Sequence, residues 1–243
     1  MPPSPGSTTV SYRSGNTNIP VGLFLPASGR SDTLVILAYG SDGLVNNNHG
    51  SWKTMIEKFA EELAQRGLAA AIPDYFASTG TRPGDLDPGR PGAYLDQILA
   101  KRGDWLVALR DGMNELSNPA VIPGVNPARV GLLGFSLGGY LCAQLAQRAK
   151  AMVLFYAPWM DGVRVSGPLS TKVEMHHGEQ DPLLPYSSNA VLIQKALETA
   201  GASVQLWPAY PGANHGFVGN DTANQKAHDL SQQRTLDFFQ ANL

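Results

Sequence analysis

The chain has 243 residues, a formal net charge of -2 and 43% hydrophobic residues, which suits a single α/β domain over 1–243 with a sizeable core. The near-neutral balance gives no electrostatic reason to expect nucleic acid or an anionic membrane surface as a partner. One cysteine, Cys142, excludes an internal disulfide. The opening Met1-Pro2-Pro3-Ser4-Pro5-Gly6 lacks the basic and apolar regions of a secretion signal. No apolar run nears the roughly 20 residues that span a bilayer, and the expectation is a cytoplasmic protein.

In chain order, Thr8–Arg13 and Ile19–Leu25 read as two strands around a Ser14-Gly15-Asn16 turn, an antiparallel edge. Thr33–Ala38 is continuously apolar, as in a strand covered on both faces. A loop with Tyr39, Gly40, Ser41, Asp42 and Gly43 follows. Ser51 is placed to cap a helix whose apolar residues, Trp52 to Ala64, recur at 3–4 spacing until Gly67. Leu68–Ile72 is the next strand, and a long Gly/Pro/Asp-rich loop runs to Gly92. Tyr94 to Leu116 forms a helix with an expected interruption at Gly103. The remaining strands are Ala128–Leu133, Met152–Tyr156, Thr171–His177 and Ser203–Trp207. Helices are expected over Tyr140–Ala146, after a Ser188 cap, and at the C-terminus near Phe238-Phe239. The alternation predicts a mostly parallel twisted sheet with helices on both faces.

Between the strand at 128–133 and the helix from Tyr140 stands Gly134-Phe135-Ser136-Leu137-Gly138-Gly139, a Gly-x-Ser-x-Gly turn. In a strand–turn–helix setting this motif exposes the serine hydroxyl at a sharp bend and frees the next N–H, that of Leu137, to face an oxyanion. A serine near neutral pH needs a base, and the base needs an acid to fix its tautomer. Asp181 follows the strand ending at His177, and His215 lies in the loop after the last strand. Asp before Pro is also a common turn starter, and a histidine in a loop is unremarkable alone. Their order after Ser136, each beyond a strand, is what marks Ser136, Asp181 and His215 as catalytic. The second oxyanion donor is expected from the loop after the strand at 33–38, with Ser41 preferred and Gly40 next.

Other candidates are weaker. His176 and His177 lie in one strand, so at most one faces a site. His49 sits in a polar loop within possible reach of substrate, and Asp161 is a fallback acid. Cys142 reads as core packing. No cluster has metal-ligand spacing and no phosphate loop is present, so neither metal nor cofactor is expected.

Leu34-Val35-Ile36-Leu37, Ile72-Pro73-Asp74-Tyr75-Phe76, Gly134-Phe135-Ser136-Leu137-Gly138-Gly139, His177-Gly178-Glu179-Gln180-Asp181-Pro182 and Tyr210-Pro211-Gly212-Ala213-Asn214-His215-Gly216-Phe217 together resemble the dienelactone hydrolase family of α/β-hydrolases. The resemblance covers about residues 10 to 240. It implies an α/β-hydrolase fold, and the short link between the strands at 152–156 and 171–177 implies no lid domain. Well-known members use a cysteine nucleophile where this chain has Ser136. They carry a glutamate where Gly40 stands and a carboxylate-gripping arginine where Ser78 follows Ala77. A second arginine after the histidine has no counterpart near Phe217-Val218-Gly219.

The resulting expectation is a serine hydrolase of small, neutral or apolar esters or lactones, with Tyr39, Phe76, Phe135 and Trp159 lining the substrate site. Arg82 or Arg90 could restore recognition of an anion. The rival readings are an acyltransferase or cyclase with the same triad, or a non-catalytic binding protein on this fold.

Overall fold

The computed structural model describes residues 7–86, 91–165 and 167–243. Two compact units divide it, Met1–Ala128 and Arg129–Leu243.

In the first unit, β1 (Ser7–Ser14) and β2 (Thr17–Phe24) form an antiparallel hairpin with Val10 opposite Val21. β2 pairs antiparallel with β4 (Ala69–Pro73), and β4 pairs parallel with β3 (Ser31–Ala38). The order is β1-β2-β4-β3. Every residue of β4 is buried, as is Thr33–Ala38 of β3, so the apolar runs mark strands covered on both faces.

Helix α1 (Trp52–Gln65) buries Ile56, Phe59, Ala60, Leu63 and Ala64, the stripe read from the sequence. Its start differs from expectation. The Ser51 side chain makes no capping bond. The free N–H groups of Lys53 and Thr54 instead bond to the Val45 carbonyl and the Asn46 side chain, at 3.0 and 3.1 Å. Its end follows expectation: Gly67, at φ +90°, lets the Leu68 N–H turn back to the Leu63 carbonyl. The segment after β4 opens with a 3-10 turn, Tyr75–Thr79. Helix α2 (Pro91–Glu115) passes through Gly103 without interruption, because one glycine lowers helix propensity by only about 1 kcal/mol.

The second unit carries β5 (Val125–Phe135), β6 (Ala151–Phe155), β7 (Lys172–His176) and β8 (Ser203–Leu206), each parallel to the next. Parallel pairing therefore predominates among the described strands, as the alternation predicts. Helix α3 (Leu137–Gln144) separates β5 from β6, α4 (Ala190–Thr199) separates β7 from β8, and α5 (Thr222–Asn242) follows β8. Asn189 rather than Ser188 flanks α4. The Asn189 side chain is engaged elsewhere, accepting from the Trp159 N–H at 2.9 Å. The Asp221 carboxylate caps α5 through the Asn224 N–H, 2.9 Å. Such a cap is worth about 1 kcal/mol.

Candidate active site

Ser136 sits between β5 and α3 at φ 50° and ψ -118°, a backbone conformation that costs a non-glycine residue roughly 1–3 kcal/mol. The flanking glycines make it possible. A Cβ on Gly134 would lie 2.5 Å from the Gly138 oxygen, and one on Gly139 would lie 2.7 Å from the Ala157 Cβ. No side chain fits at either position, so β5 and α3 meet backbone to backbone. The turn lifts the Ser136 side chain out of the strand. It also places the Leu137 N–H in the first position of α3, where no residue four back accepts it.

The chain after β7 brings Asp181 into place. Its Oδ1 accepts the N–H groups of Leu183 and Leu184, at 2.9 and 2.8 Å. Its Oδ2 lies 2.7 Å from His215 Nδ1, and His215 Nε2 lies 3.2 Å from Ser136 Oγ. The Asp181 side chain is fully covered and that of His215 is 16% exposed. Burial works against a charged Asp181, but the hydrogen bond and charge of His215, then the Leu184 N–H, outweigh it. The carboxyl is held below its usual range.

Backbone contacts fix the acid loop to the histidine loop. Gly178 bridges to Tyr210, the Glu179 N–H bonds the Tyr210 carbonyl and the Gln180 N–H bonds the Ala213 carbonyl. A Cβ on Gly178 would lie 2.4 Å from the Ala213 oxygen, which explains the glycine. Asn214 closes the other side: its side chain bonds both the N–H and carbonyl of Val218, and its own N–H donates to Asn224 Oδ1. The His215 ring packs edge-on against Tyr156, centroids 4.9 Å apart, and Tyr156 packs on Phe217. Tyr156, at φ 36°, is a contact that the sequence reading missed. Nothing local in the sequence marks it, because strain at a strand end is set by packing.

The two adjacent histidines part at the end of β7. His176 is buried with Nε2 3.0 Å from Glu174 Oε1 and Nδ1 2.9 Å from the Tyr210 hydroxyl. Arg234 donates to the same hydroxyl and stacks 3.6 Å over the Trp207 ring. His177 lies beside Asp181. The fallback acid, Asp161, is taken by the Tyr140 hydroxyl at 2.6 Å and by Arg164, so it does not serve His215. Cys142 is fully buried, as expected, and burial pushes its thiol up, away from a reactive thiolate.

In the first unit, the Ser41 hydroxyl meets that of Tyr94 at 2.5 Å. Asp42 gathers the Trp52 indole N–H, His49 and Asn47, at 2.8, 3.2 and 3.4 Å. The His49 side chain is 61% exposed. Of the four aromatic residues expected to line the substrate site, three are buried. Tyr39 and Phe76 are each 1% exposed and pack with Tyr75 and Trp105, while Phe135 is 2% exposed and stacks on Phe155 in the second unit. They are core, because rings flanking a sheet end bury as readily as they bind. Trp159 alone of the four is partly exposed. Arg82 is exposed, and Arg90 lies outside the described residues. Among the described residues there is no group of three or more His, Cys, Asp or Glu able to hold a metal ion. Nor, among the described residues, is any helix long and apolar enough to cross a membrane.

Comparisons with known proteins agree with this fold. Residues 44–243 match the model of the Dienelactone hydrolase family. Acyl-protein thioesterase 1 of Gibberella zeae is 27% identical over 214 residues, 81% of this chain and 88% of that protein. Among solved structures, esterase 2 of Thermogutta terrifontis superposes with a TM-score of 0.65 at 20% identity, covering 97% of this chain and 96% of that one. The dienelactone hydrolase-like promiscuous phosphotriesterase P91, from metagenomic libraries, gives 0.69 at 18% identity, covering 97% and 99%.

Proposed function

From the premise that the chain belongs to the dienelactone hydrolase family and is a carboxylic-ester hydrolase, we propose that Ser136, His215 and Asp181 perform the hydrolysis through an acyl-enzyme. The observation that carries this reading is the continuous line from Asp181 Oδ2 to His215 Nδ1, 2.7 Å, and from His215 Nε2 to Ser136 Oγ, 3.2 Å. An ionised Asp181 accepts only, so His215 carries its proton on Nδ1 and offers the Nε2 lone pair to the serine hydroxyl. Ser136 Oγ attacks the acyl carbon as His215 takes its proton. The Leu137 N–H faces the developing oxyanion. The imidazolium protonates the leaving alkoxide, and Asp181 stabilises the charge. Water, deprotonated in turn by His215, cleaves the acyl–serine bond and releases the acid.

The substrate is a small ester or lactone, neutral or apolar near its acyl group. Gly40 and Ser78 stand where the family's charged residues act. The Ser78 hydroxyl donates to the Tyr75 carbonyl at 2.8 Å and closes its own turn. A substrate carboxylate in such a site is desolvated without an arginine to compensate. Trp159 is the aromatic surface assigned to substrate. A fluorophosphonate should label Ser136, and Ser136→Ala should lose on the order of 10⁴-fold or more in kcat with the fold intact. In matched substrates, a neutral ester should exceed its carboxylate analogue in kcat/KM by about tenfold, equal to about 1.4 kcal/mol. Preference for the anion, abolished by Arg82→Ala or Arg90→Ala, would overturn the substrate assignment while leaving the triad standing. A thioester belongs in the same panel, given the thioesterase relative.

A further inference from the structure

One buried side-chain atom among the described residues has no hydrogen-bond partner: Nδ1 of His177. Its other nitrogen is tightly engaged. Nε2 lies 2.6 Å from the Leu184 carbonyl oxygen, which can only accept, so Nε2 carries the proton. The ring is 1% exposed and packs edge-on against Tyr186, centroids 5.8 Å apart.

The backbone of Leu184 links this histidine to the acid: its carbonyl, in the peptide to Pro185, is held by His177, and its N–H, in the peptide from Leu183, donates to Asp181 Oδ1 at 2.8 Å. The opposite oxygen, Oδ2, faces His215 at 2.7 Å and lies 3.4 Å from His177 Nε2. Oδ1 also accepts the Leu183 N–H, and anchoring the Leu184 carbonyl restrains the chain just beyond these two donors. We propose that His177 is a positioning residue for the catalytic acid, anchoring the Leu184 backbone so that the neighbouring N–H groups hold Asp181 Oδ1 and leave Oδ2 on His215. The proposal rests on the triad reading above.

The role requires a neutral ring. A second proton would make Nδ1–H a buried donor without an acceptor and would set a cation beside the Asp181 oxygen that His215 needs. The groups facing His177 are Asp181, His215, Tyr186 and the Leu184 carbonyl. Burial holds the ring's proton affinity below its ordinary value, against the opposing pull of the Leu184 carbonyl and Asp181.

His177→Phe removes the donor and keeps a ring. His177→Gln keeps a donor at nearly the same reach. The phenylalanine variant should lose about tenfold or more in kcat with KM within about twofold, since misplacing a catalytic group acts on the chemical step. The glutamine variant should recover most of the lost kcat. Should the phenylalanine variant fold poorly, His177→Gln against His177→Leu in the same measurements decides the matter. Equal activity in all variants, equal loss in the glutamine and apolar variants, or a loss carried by KM rather than kcat overturns the clamp. Ser136→Ala separates the two claims: if it remains active the triad reading fails, and if it is dead while His177→Phe behaves as wild type, only the clamp fails.

Discussion

Two loop regions of this chain are built by different means. The segments at 178–184 and 210–217 are joined largely by backbone: Gly178 against Ala213, Glu179 and Gln180 to the carbonyls of Tyr210 and Ala213, and two N–H groups on Asp181. The segment at 41–54 has backbone bonds of its own, such as Asn47 with Gly50 and Lys53 to Val45, but leans further on side chains, with Asp42 collecting Trp52, His49 and Asn47, and Asn46 bonded to Thr54. Backbone groups carry no rotamer freedom, so the first design restrains its atoms more closely than the second, which leaves partly exposed side chains to adjust. The proposed catalytic groups Asp181 and His215 belong to the first kind, as a reaction sensitive to sub-ångström placement requires.

The largest test of this contrast compares two carboxylates of the second unit. Asp181→Asn should reduce kcat on the order of 10⁴-fold, since an amide favours the wrong imidazole tautomer. Asp161→Asn, which touches Tyr140 and Arg164, should stay within about threefold. Steady-state kinetics on both variants checks this, and a mild Asp181→Asn breaks the assignment.

A smaller effect tests the backbone joint itself. The added methyl of Gly178→Ala meets backbone oxygen at 2.4 and 2.7 Å, so the two loops must part. Expected is a loss of about 10²-fold in kcat with a stability cost of about 1–3 kcal/mol by denaturant titration. By contrast, His49→Ala in the side-chain-built loop should change stability by no more than about 0.5 kcal/mol.

The buried histidines give the pH test. His176 and His177 are both held below the ordinary histidine range, chiefly by burial. The unfolded chain therefore binds more protons than the folded one below about pH 6.5. Stability from these groups is complete above that pH and falls as pH drops towards their folded values. Asp181, also lowered, adds a second loss below about pH 4. Urea midpoints should decline from pH 7.5 to 5, and His177→Gln should reduce that decline.

Much of this was legible in the sequence, and what was not has a physical pattern. The apolar runs at 33–38 and 152–156 identify covered strands because no alternation survives two-sided burial. Ser136, Asp181 and His215 stand out through their chain order beyond successive strands. Side-chain fates were harder to read. The aromatic residues Tyr39, Phe76 and Phe135 are buried, and composition alone does not tell how far a ring beside a sheet end is covered. Ser51 carries the right residue type for a cap but lost the role to Val45 and Asn46, a loop geometry no local pattern encodes. His177 differs from His176 only by strand parity, and its contact with Leu184 depends on a turn seven residues on.

The central claim, covalent catalysis at Ser136, is tested most directly by acid-quenching the enzyme during turnover of an activated ester and mapping the adduct by peptide mass spectrometry. The account predicts the acyl mass on the peptide containing Ser136, and neither adduct nor turnover in Ser136→Ala. An acyl group on a different residue, or undiminished turnover without Ser136, would contradict it.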